Sequence, residues 1–215
     1  MLEISESRII IDAGPDFRQQ MLKNDVRTLD AILITHGHKD HVGGLDDVRA
    51  FNYLAQKAMP VYAGMFAFPD LKREFHYAFE EDKYPGAPSI ELVEITGDQF
   101  NINEINITPI RAKHYKNEVF GFRIGDLTYI TDTNEIPDTE LEKIKDSKIV
   151  ILNALRKEKH YSHFNLDEAI KVIEQLNPEQ AYFTHISHLM GLHKEVEKDL
   201  PRNIKLAYDG LEIQV

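Results

Sequence analysis

Short β-branched runs alternate along the chain with stretches of helical period. Arg8 to Asp12 predicts a strand ending at Gly14-Pro15, and a helix follows from about Asp16 to Lys23. Ala31 to Thr35 is a continuous apolar run, the mark of a strand buried on both faces. Leu45, Val48, Phe51 and Leu54 share one face of a helix over Leu45 to Gln56. A short strand at Val61 to Ala63 precedes a helix over Phe66 to Phe79 with Pro69 in its first turn. Glu80 to Ser89 holds two prolines and a glycine and reads as a loop. Strands are expected near Glu91–Ile95 and Ile105–Ala112, then a hairpin of Val119–Ile124 with Leu127–Thr131 over Gly125-Asp126. Pro137 opens a helix to about Lys145, and Lys148–Leu152 is a strand. Leu166–Leu176 is a helix with Asn165 as N-cap and Glu168 at the capping-box position. A strand at Ala181–Thr184, a helix at Leu189–Leu200 and a hairpin of Ile204–Tyr208 with Leu211–Val215 over Asp209-Gly210 complete the chain. The pattern alone implies α/β or α+β, and with no repeat or linker it implies one domain over 1–215.

Chemistry concentrates behind the third of these runs. Residues 36 to 41 read His-Gly-His-Lys-Asp-His. Three imidazoles and a carboxylate at a strand end have no packing use and are costly to bury unpaired. In an extended segment His36 and His38 point the same way and can grip one ion, and a turn at Asp40-His41 swings those two toward a second. Imidazole and carboxylate suit zinc, manganese or iron. The bland alternative is a His-rich surface loop that meets metal by accident.

Composition narrows the partners. The 42% apolar fraction is ordinary for a globular chain, and no window approaches a membrane span. The net charge of −11 argues against broad nucleic-acid affinity but leaves a small phosphorylated substrate open, because bound divalent ions would invert the local field. There are no cysteines, hence no thiolate ligand, disulfide or Cys nucleophile. The acidic amino terminus is no secretory signal, and the cytoplasm is the default location.

The hexapeptide His-x-His-x-Asp-His resembles the signature of the metallo-β-lactamase-fold hydrolases. That resemblance implies an αββα sandwich of two mixed sheets flanked by helices. It also implies later ligands, and the chain offers one for each: His114, Asp132 and His185, each just past a β-type segment. The implied sets are His36, His38, His114 and Asp132 for one ion, and Asp40, His41, Asp132 and His185 for the other. Many β-lactam hydrolases carry Arg or another residue where His41 stands and use a Cys ligand, so this chain fits a two-metal site of nitrogen and oxygen donors.

Tyr161-Ser-His-Phe-Asn-Leu-Asp-Glu-Ala169 places His163 two residues before a helix N-cap, where an anion is favoured and a histidine can protonate a leaving oxygen. This resembles the phosphodiesterase branch, which includes tRNA 3′-processing endonucleases and the cyclic-phosphate diesterase of phosphonate breakdown. Thr184-His-Ile-Ser-His188 and Ile11-Asp-Ala-Gly-Pro-Asp-Phe-Arg-Gln-Gln20 look closest to the latter. The implied reaction is phosphodiester hydrolysis by a hydroxide bridging two divalent metals, zinc or manganese with iron also fitting. Asp40 and Asp132 would orient it, and His163 would assist at the phosphate or the leaving group. A thioester or lactone hydrolase of the same superfamily is the rival, and a non-catalytic metal-binding module the third reading. Asp12 is either a support for the metal loops or a turn residue. His188 is either a substrate contact or a surface histidine, and Arg156 either a phosphate contact or a solvated side chain. His76, His160 and His193 read as surface or packing residues.

Two departures from the family pattern stand out. The chain starts almost at the strand that usually comes second, so Met1 is either a start inside a longer reading frame or a genuine short form. In the second case a bare sheet edge around Arg8–Asp12 would favour a homodimer. A cysteine cluster for structural zinc is missing with that leading strand. The second departure is the lack of a long Gly/Pro-rich arm for holding tRNA, which points to a small diester rather than tRNA.

Overall fold

The computed structural model describes residues 1–215 and has the expected α/β character, two mixed sheets flanked by helices. The chain divides into two compact units, 1–105 and 106–215. No helix is long and apolar enough to cross a membrane.

The first unit contains strands β1 (Leu2–Ile4), β2 (Ser7–Ile11), β3 (Ala31–Leu33), β4 (Met59–Ala63) and β5 (Ile90–Glu94), paired in that order. β1 runs antiparallel to β2, and the later neighbours are parallel. Between them lie helices α1 (Phe17–Lys23), α2 (Lys39–Val42), α3 (Arg49–Ala55), α4 (Phe68–Glu74) and α5 (His76–Phe79). Ile10, Ile32, Ile34 and Val61 share a buried cluster with Phe17, Met21, Val48 and Phe51, so the helices cover one face of this sheet.

The second sheet has the order β12-β11-β10-β9-β8-β7-β6. Its strands are β6 (Phe100–Ile102), β7 (Ile105–His114), β8 (Asn117–Ile124), β9 (Leu127–Ile130), β10 (Ile149–Asn153), β11 (Gln180–Thr184) and β12 (Ile204–Leu206). Antiparallel hairpins at β7–β8–β9 give way to parallel pairing from β9 onward. Helices α6 (Asp138–Ile144), α7 (Leu166–Leu176) and α8 (His193–Asp199) supply Ile144, Ala169, Ile173 and Val196 to the core of this unit, with Ile110, Ile130, Leu152 and Phe183 from the strands.

Several expectations are corrected. The terminal hairpin does not form. Asp209-Gly210 does make a turn, with Leu211 N–H donating to the Tyr208 carbonyl at 3.0 Å and Gly210 at φ 92°. However, β12 spends its ladder on parallel pairing with β11, and residues 211–215 form no strand. The edge expected to be bare around Arg8–Asp12 is covered in part, because β1 pairs with Ser7–Ile9 of β2. The helix over Leu45–Gln56 begins as a 3₁₀ turn, Leu45–Val48. The helix over Phe66–Phe79 breaks at Phe75, which leaves helical geometry (φ −115°, ψ 36°) while its ring stays buried. The expected helix at Leu189–Leu200 is a 3₁₀ turn (His188–Met190) followed by α8. β1 and β6, three residues each, escape pattern reading because a three-residue strand shows barely one period.

α7 begins where the sequence says it does. Asn165 Oδ1 accepts from Glu168 N–H at 2.8 Å, and Glu168 Oε2 accepts from Asn165 N–H at 3.1 Å. This box satisfies two orphan donors of the helix end. Asn165→Ala is expected to cost about 1 kcal/mol and lower the thermal midpoint by roughly 2–4 °C, read by calorimetric unfolding.

Candidate metal centre

The chain carries metal-type donors in each unit, and each group is held by its own unit's backbone. In the first, β3 stops at Leu33 because Thr35 is diverted. Its N–H donates to Asp12 Oδ1 at 2.8 Å instead of to a neighbouring strand. The Thr35 hydroxyl donates to Asp12 Oδ2, also at 2.8 Å, and so is left to accept from His36 Nδ1 at 3.1 Å. His41 Nδ1 donates to the same Asp12 Oδ2 at 2.7 Å. One carboxylate thus orders two imidazoles. With Nδ1 carrying the proton, the lone pair of each neutral ring lies on Nε2, the arrangement a metal-binding histidine needs.

The rings of His36, His38 and His41 gather tightly, with centroids 4.5 Å apart for His36–His38 and 4.3 Å for His36–His41. Asp40 and His41 lie in the single turn of α2, where Asp40 Oδ2 comes to 3.4 Å from His41 Nε2. Two acceptors facing each other at that distance suit a shared cation. Gly37 fits where a side chain does not, since a Cβ there would lie 2.6 Å from Cβ of Asp70 on α4. Gly44 serves a similar purpose. Its N–H donates to the Ala13 carbonyl (2.8 Å), stitching the histidine loop to the Asp12 turn, and a Cβ would meet the Gly14 carbonyl oxygen at 2.3 Å.

In the second unit His114 ends β7, Asp132 follows β9 by two residues and His185 follows β11 directly. His114 Nδ1 donates to the Ser162 carbonyl at 2.8 Å, which again puts the lone pair on Nε2. Asp132, 2% exposed, accepts from Thr131 Oγ1 (2.8 Å) and has His185 Nε2 at 3.1 Å from its Oδ1. Asn153, wholly buried at the end of β10, clamps the next residue. Its Oδ1 accepts from Thr133 N–H (2.9 Å) and its Nδ2 donates to the Thr133 carbonyl (3.0 Å). Asp12, Asp132 and His185 all have left-handed backbones, with φ of 58°, 54° and 54°. That conformation turns the chain sharply at a strand end, and Asp and His tolerate it better than most residues do.

His163 sits in the loop before α7. Phe164 N–H donates to the Thr133 carbonyl (2.8 Å), and the Phe164 carbonyl accepts from Leu155 N–H (3.0 Å), fixing the loop. The His163 ring is 8% exposed, stacks on His185 at 4.9 Å and lies 4.6 Å from His114. Its Nδ1 is buried without a hydrogen-bond partner. Burial pushes its pKa down to about 4. The Asp132 carboxylate opposes this, and His185, His114 and His160 reinforce it. Donor atoms of His114, Asp132 and His163 all lie within 4.8 Å of one another, so His163 stands within ligand range.

The remaining expected residues are less engaged. Arg156 donates to the carbonyls of Glu158 (Nε, 3.3 Å) and Lys159 (Nη2, 2.9 Å) of its own loop, and His188 is exposed. His76 touches Tyr77, and His193 contacts the Leu206 carbonyl. Sequence reasoning missed Thr35, Ser162 and Asn153. Of these, Thr35 alone carried a signal, a hydroxyl next to the first ligand histidine.

Comparison with known proteins fixes the family. The model of the β-lactamase superfamily domain matches residues 7–186. The chain belongs to that superfamily. The expected resemblance to its phosphodiesterase branch also holds. A crystal structure of a diphosphatase from the PhnP family superposes with a TM-score of 0.91 and 35% identity, covering 99% of this chain and 82% of that one. A ribonuclease Z of Bradyrhizobium sp. (strain ORS 278) is 28% identical over 127 residues, 57% of this chain and 42% of that protein. An octanoyltransferase of Porphyromonas gingivalis (strain ATCC BAA-308 / W83) is 37% identical over 207 residues, 95% of this chain and 42% of that protein. The chain thus spans about two fifths of the length of these curated relatives. With the superfamily comes the fold, two mixed sheets flanked by helices. The donor set fits a divalent ion: His36, His41 and His114 are tethered through Nδ1, Asp132 offers a buried carboxylate and Asp40 an exposed one, and there is no thiolate.

Proposed function

We propose that this member of the superfamily is a phosphodiesterase acting on small diesters. The observation that carries the reading is His163, a buried imidazole with an unpartnered Nδ1, stacked on His185 two residues before the capped end of α7. Its depressed pKa favours the neutral ring, which suits a hydrogen bond to a phosphoryl or leaving oxygen rather than a resident positive charge. The diphosphatase and ribonuclease Z relatives support phosphate chemistry.

We assign His36, His38, His114 and Asp132 to one divalent ion and Asp40, His41, Asp132 and His185 to another. Zinc and manganese suit these donors, and iron also fits. Bound there, such ions supply Lewis acidity and lower the pKa of a water. The protein's own part is positional. Asp12 and Thr35 orient His36 and His41, the Ser162 carbonyl orients His114, and Asn153 holds the turn that bears Asp132. Asp40 and Asp132 would orient the attacking water. His163 faces the phosphate, while Arg156 and His188 are assigned as outer substrate contacts.

A thioester or lactone hydrolase is the second reading, favoured by the likeness to a protein named for acyl transfer. The purified protein, with manganese or zinc added, is expected to cleave bis(p-nitrophenyl) phosphate and to lose that activity to chelator. Turnover of a thioester and a lactone with no diester cleavage would replace the proposal by the second reading.

A further inference from the structure

We infer that Tyr161, with His160 and Tyr115 behind it, is a stacking platform for a nucleobase, so that the diester is nucleotide-derived. The inference rests on the phosphodiesterase reading. All of its residues lie in the second unit. Tyr161 stacks on His160 with centroids 4.5 Å apart and planes 28° apart, and Tyr115 meets Tyr161 edge-on at 5.7 Å and 85°. The two tyrosines are 72% and 54% exposed. Tyr53 and Tyr84 are as exposed, but the ring contacts that brace Tyr161 set it apart as a preassembled surface.

The platform joins the proposed phosphate position. His160 lies 5.1 Å from His163, whose buried Nδ1 is unpartnered. His160 Nδ1 accepts from Ser162 N–H at 3.3 Å, and the carbonyl of that same Ser162 holds His114. One short loop therefore fixes a ligand histidine, the phosphate-facing histidine and the aromatic face. His160 is thus in ring contact with both His163 and Tyr161, which sets the aromatic face beside the proposed phosphate position.

The surroundings favour a base over a bare sugar. Arg156, Lys159, His160 and Tyr161 line an open hollow of about 560 Å³. Lys116 Nζ sits 5.2 Å from the Tyr115 ring centroid, and the Arg156 guanidinium is held in place by two carbonyls. Cations at the rim attract phosphate and base carbonyls, and an exposed aromatic face accepts any base because every base has a π-face. A sugar has no π-face to stack on the tyrosine rings. The net charge of −11 speaks against a long nucleic acid, so the fit is to a single nucleoside unit.

Two measurements on the metal-loaded protein test this. By calorimetry, adenosine 5′-monophosphate is expected to bind roughly tenfold or more tighter than ribose 5-phosphate, and Tyr161→Ala to erase the preference while Tyr161→Phe keeps it. Equal binding of the two ligands, or a preference untouched by Tyr161→Ala, overturns the platform. In turnover, the p-nitrophenyl ester of thymidine 5′-monophosphate is compared with methyl p-nitrophenyl phosphate. A nucleoside preference in kcat/KM that collapses toward unity in Tyr161→Ala supports the platform. Equal turnover of both esters overturns it and leaves the phosphodiesterase reading standing. Turnover of neither ester overturns the phosphodiesterase reading, and the binding preference then decides the platform by itself.

Discussion

His163→Ala is expected to lower phosphodiester turnover by roughly a hundredfold or more while the protein keeps its metal. The residue is 8% exposed and packed against His185 and His114, yet no assigned metal set includes it. Removing the imidazole takes away the group that faces the phosphate but leaves the tethers of the other histidines untouched. The measurement pairs kcat with the metal-to-protein ratio from plasma mass spectrometry, and a thermal midpoint checks folding. Because its donor atom lies within 4.8 Å of those of His114 and Asp132, a ligand role makes a different forecast: metal content falls in step with rate. That outcome would move His163 into the metal set and remove the observation on which the phosphodiesterase reading rests. His163→Gln, which keeps a polar group in the same space, serves as the milder partner should the alanine variant fold poorly.

Asp12→Ala should weaken metal binding by about 10- to 100-fold without removing a single proposed ligand. One carboxylate accepts from the Thr35 N–H, the Thr35 hydroxyl and His41 Nδ1, and through Thr35 it also sets His36. Without it, His41 loses the acceptor that keeps its proton on Nδ1, and Thr35 can turn its hydroxyl toward His36 instead of accepting from it. Both rings are then free to present the wrong nitrogen. Competition with a chromogenic chelator reads the affinity. An unchanged constant would show that packing alone orients the two rings. Thr35→Val, which cuts only the branch to His36, should give the smaller part of the effect.

The proposed ligands were legible because they are clustered or follow β-type runs at intervals that a known family shares. The residues that hold them were not. Ser162 acts through its carbonyl and Asn153 through a pair of bonds to the backbone of Thr133, so side-chain chemistry in the sequence says nothing of either role. α7 could be read from end to end because its boundary is local, written in the Asn165–Glu168 box. The terminal hairpin misled for the converse reason: turn chemistry at Asp209-Gly210 is local, whereas the competing partner of β12 is a parallel strand some twenty residues earlier. His160 looked like a surface or packing residue because only the fold brings its ring against those of Tyr161 and His163.

The left-handed turns at Asp12, Asp132 and His185 bear on how this protein can change. On the proposed assignment a substitute at Asp132 or His185 must supply a ligand atom and one at Asp12 an acceptor, and each must also take a backbone that β-branched residues strongly resist. Glycine satisfies the second demand and fails the first, asparagine keeps the backbone but offers only a neutral oxygen, and glutamate supplies an oxygen but with a longer arm and a less willing main chain. The alphabet acceptable at these three places is therefore narrower than coordination chemistry alone would set. New specificity has its open route elsewhere, through Arg156, Lys159 and Tyr161 around the hollow, none of which has a left-handed backbone.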